Sequence, residues 1–265
     1  FIHRCFEEVS SSGSYLHNWH IDLIASKLEQ CRRGEIKRLI INIPPRYMKS
    51  ICASVAFAAW LLGNDTTAQI ICPSYGQDLA NKHARDTRLI MESHWYRQLF
   101  HTRLNPKKAA VDEFITTRGG MRMATSVGGV LTGRGADFLI IDDPLKPDDA
   151  MSESQRNAAN QWYDGTLYSR LNSKEHGCII IIMQRLHEDD LVGHVLAQEE
   201  WETLVLPAIA EESEEHRYTT WLGDHLKTRS PGDLLPPERE PRAILDDLRA
   251  TMGPYHSAGQ YCQSP

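Results

Sequence analysis

The chain has 265 residues, of which 29 are basic and 35 acidic, so its formal net charge at pH 7 is −6. This length supports a large core in one or two domains, and the acidic balance excludes a globally basic nucleic-acid binder, so any DNA contact depends on local patches. No apolar run approaches the ~20 residues of a membrane span, and no signal peptide is present. The six cysteines form no C-x-x-C pair, which predicts reduced thiols in the core of a soluble protein.

Helices and strands alternate along the first part of the chain. Apolar residues at helical spacing predict a helix over 19–31. Strands are predicted over 39–43 and 69–72, followed by helices over 49–62 and 77–91. Residues 111–116 and 121–125 flank two glycines and predict a hairpin.

The same alternation continues beyond a glycine-rich loop at 126–135. Strands are predicted over 138–141, 178–183 and 203–206, and helices over 152–171 and 188–198. After Pro207 the pattern weakens, and residues 211–215 read as a charged turn. Strands that alternate with helices predict an α/β fold with a mainly parallel sheet.

A candidate phosphate-binding loop follows the first of these strands. Lys49 and Ser50 open the next helix, as in P-loops, where lysine neutralises the β- and γ-phosphates and the hydroxyl holds Mg²⁺. Both glycine positions of that pattern are filled, by Ile43 and Met48, so the phosphate-binding N–H groups must come from residues 46–50. Arg46 adds a positive fork suited to phosphate oxygens. Taken alone, the segment is also consistent with a proline turn before an ordinary helix.

Two carboxylates end a later apolar strand. Asp142 and Asp143 follow the run at 138–141, which is typical of a parallel strand covered on both faces. Ligands of open α/β sheets bind at the carboxyl ends of such strands. The first acid would reach the metal, and the second would orient or deprotonate water. A solvated Asp-Asp-Pro turn is the alternative, and the presence of both features favours the site.

Several other polar groups have simpler interpretations. The acid pairs at 148–149 and 189–190 are read as helix starts favoured by the dipole. Ser74 and Tyr75 are read as a turn at the ligand edge, and His83 as a surface or packing residue. The basic residues of 82–88 are read as a solvated face.

Taken as an ordered set, these segments resemble the ATPase domain of the large terminase subunit of tailed bacteriophages and prophages. The similarity lies in Pro-Pro-Arg-x-x-Lys-Ser at 44–50, Ile-Ile-Asp-Asp-Pro at 140–144, the glycine-rich 128–137, and Gln-Arg-Leu-His-Glu-Asp-Asp-Leu at 184–191. It implies a P-loop NTPase of the RecA-like class (ASCE) that has a mainly parallel central sheet flanked by helices. It also implies an additional strand between the phosphate-loop and acidic strands.

The resemblance further implies an ATPase core at 1–207 and a small C-terminal lid or linker subdomain at 208–265. In the family that subdomain leads to a nuclease domain. No counterpart of the nuclease acids is present here, so nuclease activity is not expected.

Site roles also follow from the resemblance. The residues expected to act in catalysis are Arg46, Lys49, Arg134, Asp143, Gln184 and Arg185. Those expected to bind nucleotide are Trp19, His20, Pro45, Arg46, Tyr47, Met48, Lys49, Ser50 and Ile51, and those expected to bind metal are Ser50 and Asp142. Three positions depart from the family: aspartate replaces a frequent glutamate at 143, histidine a frequent glutamine at 20, and Thr132 occupies the position where an arginine finger such as Arg134 is usual.

The expected function is Mg²⁺-dependent ATP hydrolysis that drives viral double-stranded DNA into a procapsid, in the cytoplasm of the infected or lysogenic bacterial host. The expected partners are DNA, the portal protein and the terminase small subunit, and no membrane. A homo-oligomeric ring is expected on the capsid, with a monomer as the alternative in isolation. Three alternatives stay open: a helicase-like P-loop motor, a nucleotide-binding module without turnover, and a metal-dependent nuclease that uses the acid pair.

Overall fold

Eight strands form one sheet, in the order β3-β4-β5-β2-β6-β7-β1-β8. The computed structural model describes residues 1–10 and 13–265. The strands are β1 (Arg38–Asn42), β2 (Gln69–Ser74), β3 (Leu104–Ala109), β4 (Glu113–Thr116), β5 (Met121–Ser126), β6 (Phe138–Asp142), β7 (Cys178–Met183) and β8 (Glu202–Val205). The run from β5 to β8 is parallel throughout, whereas β3 and β4 are antiparallel additions at one edge. The predicted mainly parallel sheet is therefore confirmed.

Strand β7 lies between the strands that lead to the phosphate loop and to the acid pair. Ile180 is opposite Leu39 of β1 on one side and opposite Ile140 of β6 on the other. All six residues of β7 are buried, as expected for a central strand covered on both faces. Since the three strands are parallel, β1 and β6 end at the same edge of the sheet. The additional strand implied by the sequence resemblance is present.

Helices cover both faces of the sheet. The α-helices are α1 (Ile2–Val9), α2 (Trp19–Arg32), α3 (Ala58–Asn64), α4 (Gln77–Glu92), α5 (His94–Leu99), α6 (Pro147–Ala150), α7 (Glu153–Trp162), α8 (Leu191–Leu196) and α9 (Arg242–Cys262). The period-2 alternation of the strands sends Ile180 and Ile182 into the core cluster that contains α2 and α3, and Ile179 and Ile181 into the cluster that contains α8. All six cysteines are free thiols and five are buried, as predicted.

Two predicted helices differ from the observed ones. The helix predicted over 152–171 is α-helical only to Trp162 and continues as a π-helical stretch, Tyr163–Leu167, and a short 3₁₀ turn, Tyr168–Arg170. The helix predicted over 188–198 is shortened to α8, because the Asp190 side chain caps its first turn by accepting the Gly193 N–H.

Strand β3 and most of the C-terminal segment were not predicted. Strand β3 carries a proline and two lysines at the sheet edge, where the apolar pattern is absent. The charged turn predicted at 211–215 is wrong from Glu214 onward, because β9 (Glu214–Thr220) begins there and pairs antiparallel with β10 (Gly223–Arg229). Helix α9 has a break at Gly253, whose φ is 78°, just before Pro254.

The C-terminal hairpin packs against α2. The backbone N–H of Thr219 donates to Ser26 Oγ at 3.2 Å, and the buried Arg229 donates to the carbonyls of Pro207 and Asp233. Among the described residues, no helix is long and apolar enough to cross a membrane.

Candidate nucleotide-binding site

The loop between β1 and the following helix alternates between left-handed and negative-φ backbone conformations. Arg46 and Met48 have φ angles of 70° and 68°, and Tyr47 between them has a negative φ. Such alternation turns successive N–H groups toward one concavity. The N–H groups of residues 46–48 have no acceptor in the described part of the chain. Met48 occupies the second glycine position of the usual P-loop pattern. Its left-handed backbone conformation costs about 1–2 kcal/mol of conformational free energy.

The helix after this loop begins irregularly. Residues Ile51–Phe57 are π-helical before α3 begins. Single π-helical turns within helices occur frequently at functional sites. Here the turn contains Ser54, whose side chain points at the acid pair.

The phosphate loop and the acid pair lie in direct contact. Lys49 Nζ donates to Asp143 Oδ1 at 2.7 Å, and Ser50 Oγ donates to Asp142 Oδ1 at 3.0 Å. Both contacts cross the carboxyl end of β7, from β1 to β6. Four residues that the sequence placed in one site are thus brought together by strand order.

Asp142 is enclosed by donors. Its Oδ2 accepts the Ser54 hydroxyl at 2.6 Å and lies 3.5 Å from His83 Nδ1. Burial raises the pKa of Asp142, and the hydrogen bonds from Ser54 and Ser50, with the charge of Lys49, oppose that rise. Sequence reasoning missed Ser54 and treated His83 as a surface or packing residue. The four-residue spacing of Ser50 and Ser54, which puts both on one helix face, was the available signal.

Asp143 is held by the ends of two neighbouring strands. Its φ is 44°, in the left-handed region that aspartate tolerates better than most residues. Its backbone carbonyl accepts the Tyr75 N–H at 3.0 Å after β2, and its side chain accepts the Gln184 N–H at 3.4 Å after β7. Burial raises the pKa of Asp143, as does the charge of Asp142, while Lys49 opposes both. The Ser74 hydroxyl is buried beside this turn, with no partner among the described residues.

The Gln184-Arg185 pair links the acid edge, which is the edge of the sheet where β6 ends in Asp142 and Asp143, to the end of the chain. The Gln184 side chain is buried, and its Oε1 has no partner among residues 1–10 and 13–265. Arg185 Nε donates to both oxygens of Asp190, at 3.2 and 2.9 Å. The Arg185 N–H donates to Gln263 Oε1 at 2.9 Å, after α9. The Gln184-Arg185 pair therefore touches Asp143 on one side and the C-terminal segment on the other.

The side chains of Trp19 and His20 have different surroundings. His20 is buried next to Tyr47 and Met48, and it lines a cavity of about 20 Å³ together with Arg239. Burial lowers the pKa of His20 to about 4, so the ring is neutral at pH 7. The Trp19 ring stacks on His216 at a centroid distance of 5.3 Å. The His20 ring lies beside the loop, at a centroid distance of 6.2 Å from the Tyr47 ring.

The two candidate arginines are in different places. Arg46 is exposed on the loop, and none of its side-chain nitrogens has a partner in the described structure. Arg134 pairs with Glu113 on β4 at 2.6 Å. Strands β5 and β2 lie between β4, which carries Glu113, and β6, which ends in the acid pair.

The fold was compared with known proteins. Neither a protein-family model nor a curated protein sequence matches the chain. A point mutant of the Thermus phage P74-26 large terminase ATPase domain superposes with a TM-score of 0.53 at 13% identity, over 98% of this chain and 96% of that one. The large terminase of a second thermophilic bacteriophage, in complex with ADP, gives 0.50 at 11% identity, over 89% of this chain and 52% of that one.

A third match is the HK97 bacteriophage large terminase, with a TM-score of 0.48 and 14% identity over 78% of this chain and 44% of that one. This chain therefore spans about half the length of the ADP-bound and HK97 terminases. The fold assignment rests on the other two superpositions, because they reach a TM-score of 0.50 or above. The chain has the fold of the ATPase domain of bacteriophage large terminases.

Proposed function

We propose that this protein hydrolyses ATP to drive double-stranded viral DNA into a procapsid. The observation that carries the proposal is the pair of contacts Lys49–Asp143 and Ser50–Asp142, which join the phosphate loop to the acid pair. The ADP complex of the thermophilic-phage terminase, which has a similar fold, supports nucleotide binding by this chain.

The triphosphate would bind along the loop from Pro45 to Ile51. The free N–H groups of Arg46, Tyr47 and Met48 would hold its oxygens, and the Arg46 side chain would supply a mobile positive fork. Lys49 would exchange its contact with Asp143 for the β- and γ-phosphates, because both are anionic and compete for one ammonium. Asp143 would then be released for chemistry.

The residues present fit a Mg²⁺ site. Ser50 Oγ and Asp142 Oδ1 are both hard oxygen donors, and they lie 3.0 Å apart beside Lys49. These two side chains would hold the metal, leaving its other positions to phosphate oxygens and water. When bound, Mg²⁺ would offset the negative charge that builds on the phosphate oxygens.

Asp143 would orient the attacking water and accept its proton. Its raised pKa suits that role, because a base works best when its pKa is close to the working pH. Lys49 and Arg46 would stabilise the charge on the equatorial oxygens of the γ-phosphate. Arg134 of a neighbouring molecule would add a finger in trans, typically worth ~10³–10⁵ in rate, so the isolated chain should turn over slowly.

Gln184 and Arg185 would report the state of the γ-phosphate. The Gln184 N–H donates to Asp143, and the buried Gln184 Oε1 has no partner in the described structure. This oxygen could therefore accept one further hydrogen bond. Arg185 contacts Gln263, so a shift at Gln184 would reach the segment at 208–265, which would act as the lid or linker.

The base would lie beside His20. A neutral imidazole both donates and accepts a hydrogen bond and could therefore take the place of the glutamine common in relatives. The cavity there holds about 20 Å³, so the segment that carries Arg239 must move outward to admit a base. Trp19 would contribute by packing behind His20.

We further propose that the motor acts as a homo-oligomeric ring on the procapsid, inside the infected or lysogenic bacterium. The portal protein and the terminase small subunit would be its protein partners. These assignments rest on similarity to the terminase fold.

Nucleotide titration combined with phosphate release tests the proposal. Wild-type protein should bind a fluorescent ATP analogue and release phosphate in Mg²⁺, and Lys49→Ala should abolish turnover. Lys27→Ala is the matched control, since Lys27 also sits in an ion pair, with Glu202, away from the site. Binding without phosphate release would instead support a non-hydrolysing module, and absence of binding would refute the proposal. DNA unwinding without a procapsid would support a helicase.

A further inference from the structure

The metal-binding aspartate is surrounded by a polar shell that the proposed reaction does not itself use. We propose that Ser54, His83 and Arg122 are positioning residues that hold Asp142 ready for a divalent cation. The proposal rests on the function above, and it extends the site from the phosphate loop into the helix and strands behind it.

The two oxygens of Asp142 have different surroundings. Oδ1 faces Ser50, the second predicted metal ligand, at 3.0 Å. Oδ2 is turned the other way, with Ser54 Oγ at 2.6 Å and His83 Nδ1 at 3.5 Å. Protein groups thus occupy Oδ2 and leave Oδ1 beside Ser50. A carboxylate fixed in this way loses little rotational freedom on binding a cation.

The backbone of Ser54 is itself hydrogen-bonded to a buried side chain. Ser54 lies in the π-helical stretch after the phosphate loop, and its carbonyl accepts Arg122 Nη2 at 3.2 Å. Arg122 projects from β5, on the face of the sheet that Asp142 shares through the parallel register of β5, β2 and β6. The chain of contacts therefore runs from Arg122 through Ser54 to Asp142.

Arg122 is an improbable residue for packing alone. It is the largest fully buried side chain in the described structure, and its Nε and Nη1 have no partner there. A buried guanidinium with a single hydrogen bond is costly, and apolar replacements of buried charges are often neutral or stabilising. Because Arg122 also holds the residue that donates to Asp142, the site explains its presence more readily than core packing does.

The experiment measures the Mg²⁺ concentration that half-saturates binding of a fluorescent nucleotide, alongside nucleotide affinity in EDTA. Ser54→Ala should raise that Mg²⁺ concentration about 10–100-fold, the usual effect of removing a group behind a metal ligand. Affinity in EDTA should not change. Ser54→Thr, which keeps the hydroxyl, should restore the wild-type value. His83→Leu should act in the same direction by a smaller factor, because its contact is longer.

Arg122→Met separates positioning from folding. It should leave the melting temperature unchanged or raise it, yet increase the Mg²⁺ requirement. It also keeps the proposal testable if Ser54→Ala does not fold. Thr87→Val is the matched control, because the Thr87 hydroxyl is equally buried and approaches the same Ser54 carbonyl without touching Asp142.

Three outcomes overturn the proposal. The first is an unchanged Mg²⁺ requirement in both Ser54→Ala and Arg122→Met, while the wild type needs Mg²⁺. The second is an equal rise in Thr87→Val, which would indicate general packing. The third is wild-type protein with no Mg²⁺-dependent nucleotide binding, which overturns the proposed function as well and is thereby distinguished from the first two.

Discussion

The acid edge of the sheet and the C-terminal segment at 208–265 are constructed in opposite ways. At the edge, Asp142 ends β6, Asp143 follows it, and Lys49 lies after the loop that leaves β1, so parallel strands in fixed register carry all three. In the C-terminal hairpin, most side chains are half-buried or exposed, and Trp221 at its turn is 92% exposed. The first arrangement holds charges in place before any ligand arrives.

The C-terminal segment is joined to the phosphate loop and to the acid edge by polar contacts. Tyr47 Oη donates to Glu240 Oε2 at 2.6 Å, and the Arg185 N–H donates to Gln263. Net hydrogen-bond energies are only about 0.5–1.5 kcal/mol each. Contacts of this strength can be exchanged at little cost, while Leu235 and Leu245 keep the segment anchored in the main core cluster. The chemistry is therefore proposed for the acid edge, and movement for the part of the segment that meets it.

The largest effect is expected at the acid edge. Asp143→Asn should reduce ATP hydrolysis about 10²–10⁴-fold, the range for loss of a positioned base, while nucleotide binding persists. Single-turnover phosphate release measures the first quantity and fluorescence titration the second. Asp148→Asn changes an exposed acid of α6 and should have no effect. Normal hydrolysis by Asp143→Asn would remove that residue from the water-activating role.

The loop after β7, at residues 184–190, should show the largest loss of stability. Asp190 is fully buried and accepts from Arg185 Nε and from the N–H groups of Leu186 and Gly193. Asp190→Ala should lower the free energy of unfolding by about 3 kcal/mol, because it leaves several donors unpaired. Urea denaturation measures the change. Asp189→Ala is the control, with a 74% exposed side chain; equal losses in the two variants would contradict the assignment.

The pH dependence of stability tests the burial of His20 where loop and segment meet. Its folded pKa of about 4 lies below the ordinary 6.5, so the unfolded chain binds the extra proton first and stability falls as pH drops from 6.5 toward 4. His20 alone should cost about 2 kcal/mol between pH 7.5 and 5. His20→Gln should remove that part of the slope in urea denaturation. His83, whose pKa is also lowered to about 4 by burial, should preserve the remainder. An identical slope in wild type and variant would refute a buried neutral His20.

A smaller effect is expected where the segment meets the phosphate loop. Tyr47→Phe removes the hydroxyl that donates to Glu240 and should lower the free energy of unfolding by about 1 kcal/mol. Amide hydrogen exchange should speed up over 238–240 and stay unchanged in β7. Tyr75→Phe, at a ring that is 44% exposed, is the control. Equal acceleration in β7 would mean that segment and sheet open together.

The smallest effect is expected at the hairpin turn. Trp221→Ser should change the free energy of unfolding by less than about 0.5 kcal/mol, since the ring is almost fully exposed. Thermal denaturation measures it. A loss of several kcal/mol would show that the hairpin contributes to the core and would erase the contrast between the two regions.

Much of the sheet could be predicted from sequence, because buried parallel strands are continuous apolar runs. The runs at 39–43, 138–141 and 178–183 were each placed to within one or two residues. The edge strand β3 and the hairpin β9–β10 have no such signal, since their residues are largely polar and half exposed. Their pairing depends on neighbours that the local sequence does not specify.

The sequence alone determined the candidate chemistry: a lysine and serine after one apolar run, and two acids after another. That these groups meet was decided by tertiary structure, because β7, distant in the chain, inserts between β1 and β6 and brings both carboxyl ends to one edge. The left-handed turn at Met48 and the donors behind Asp142 were also tertiary outcomes. Local propensity favours glycine at a left-handed position such as 48, and it does not specify which groups donate to Asp142. Only the packed sheet fixes both features.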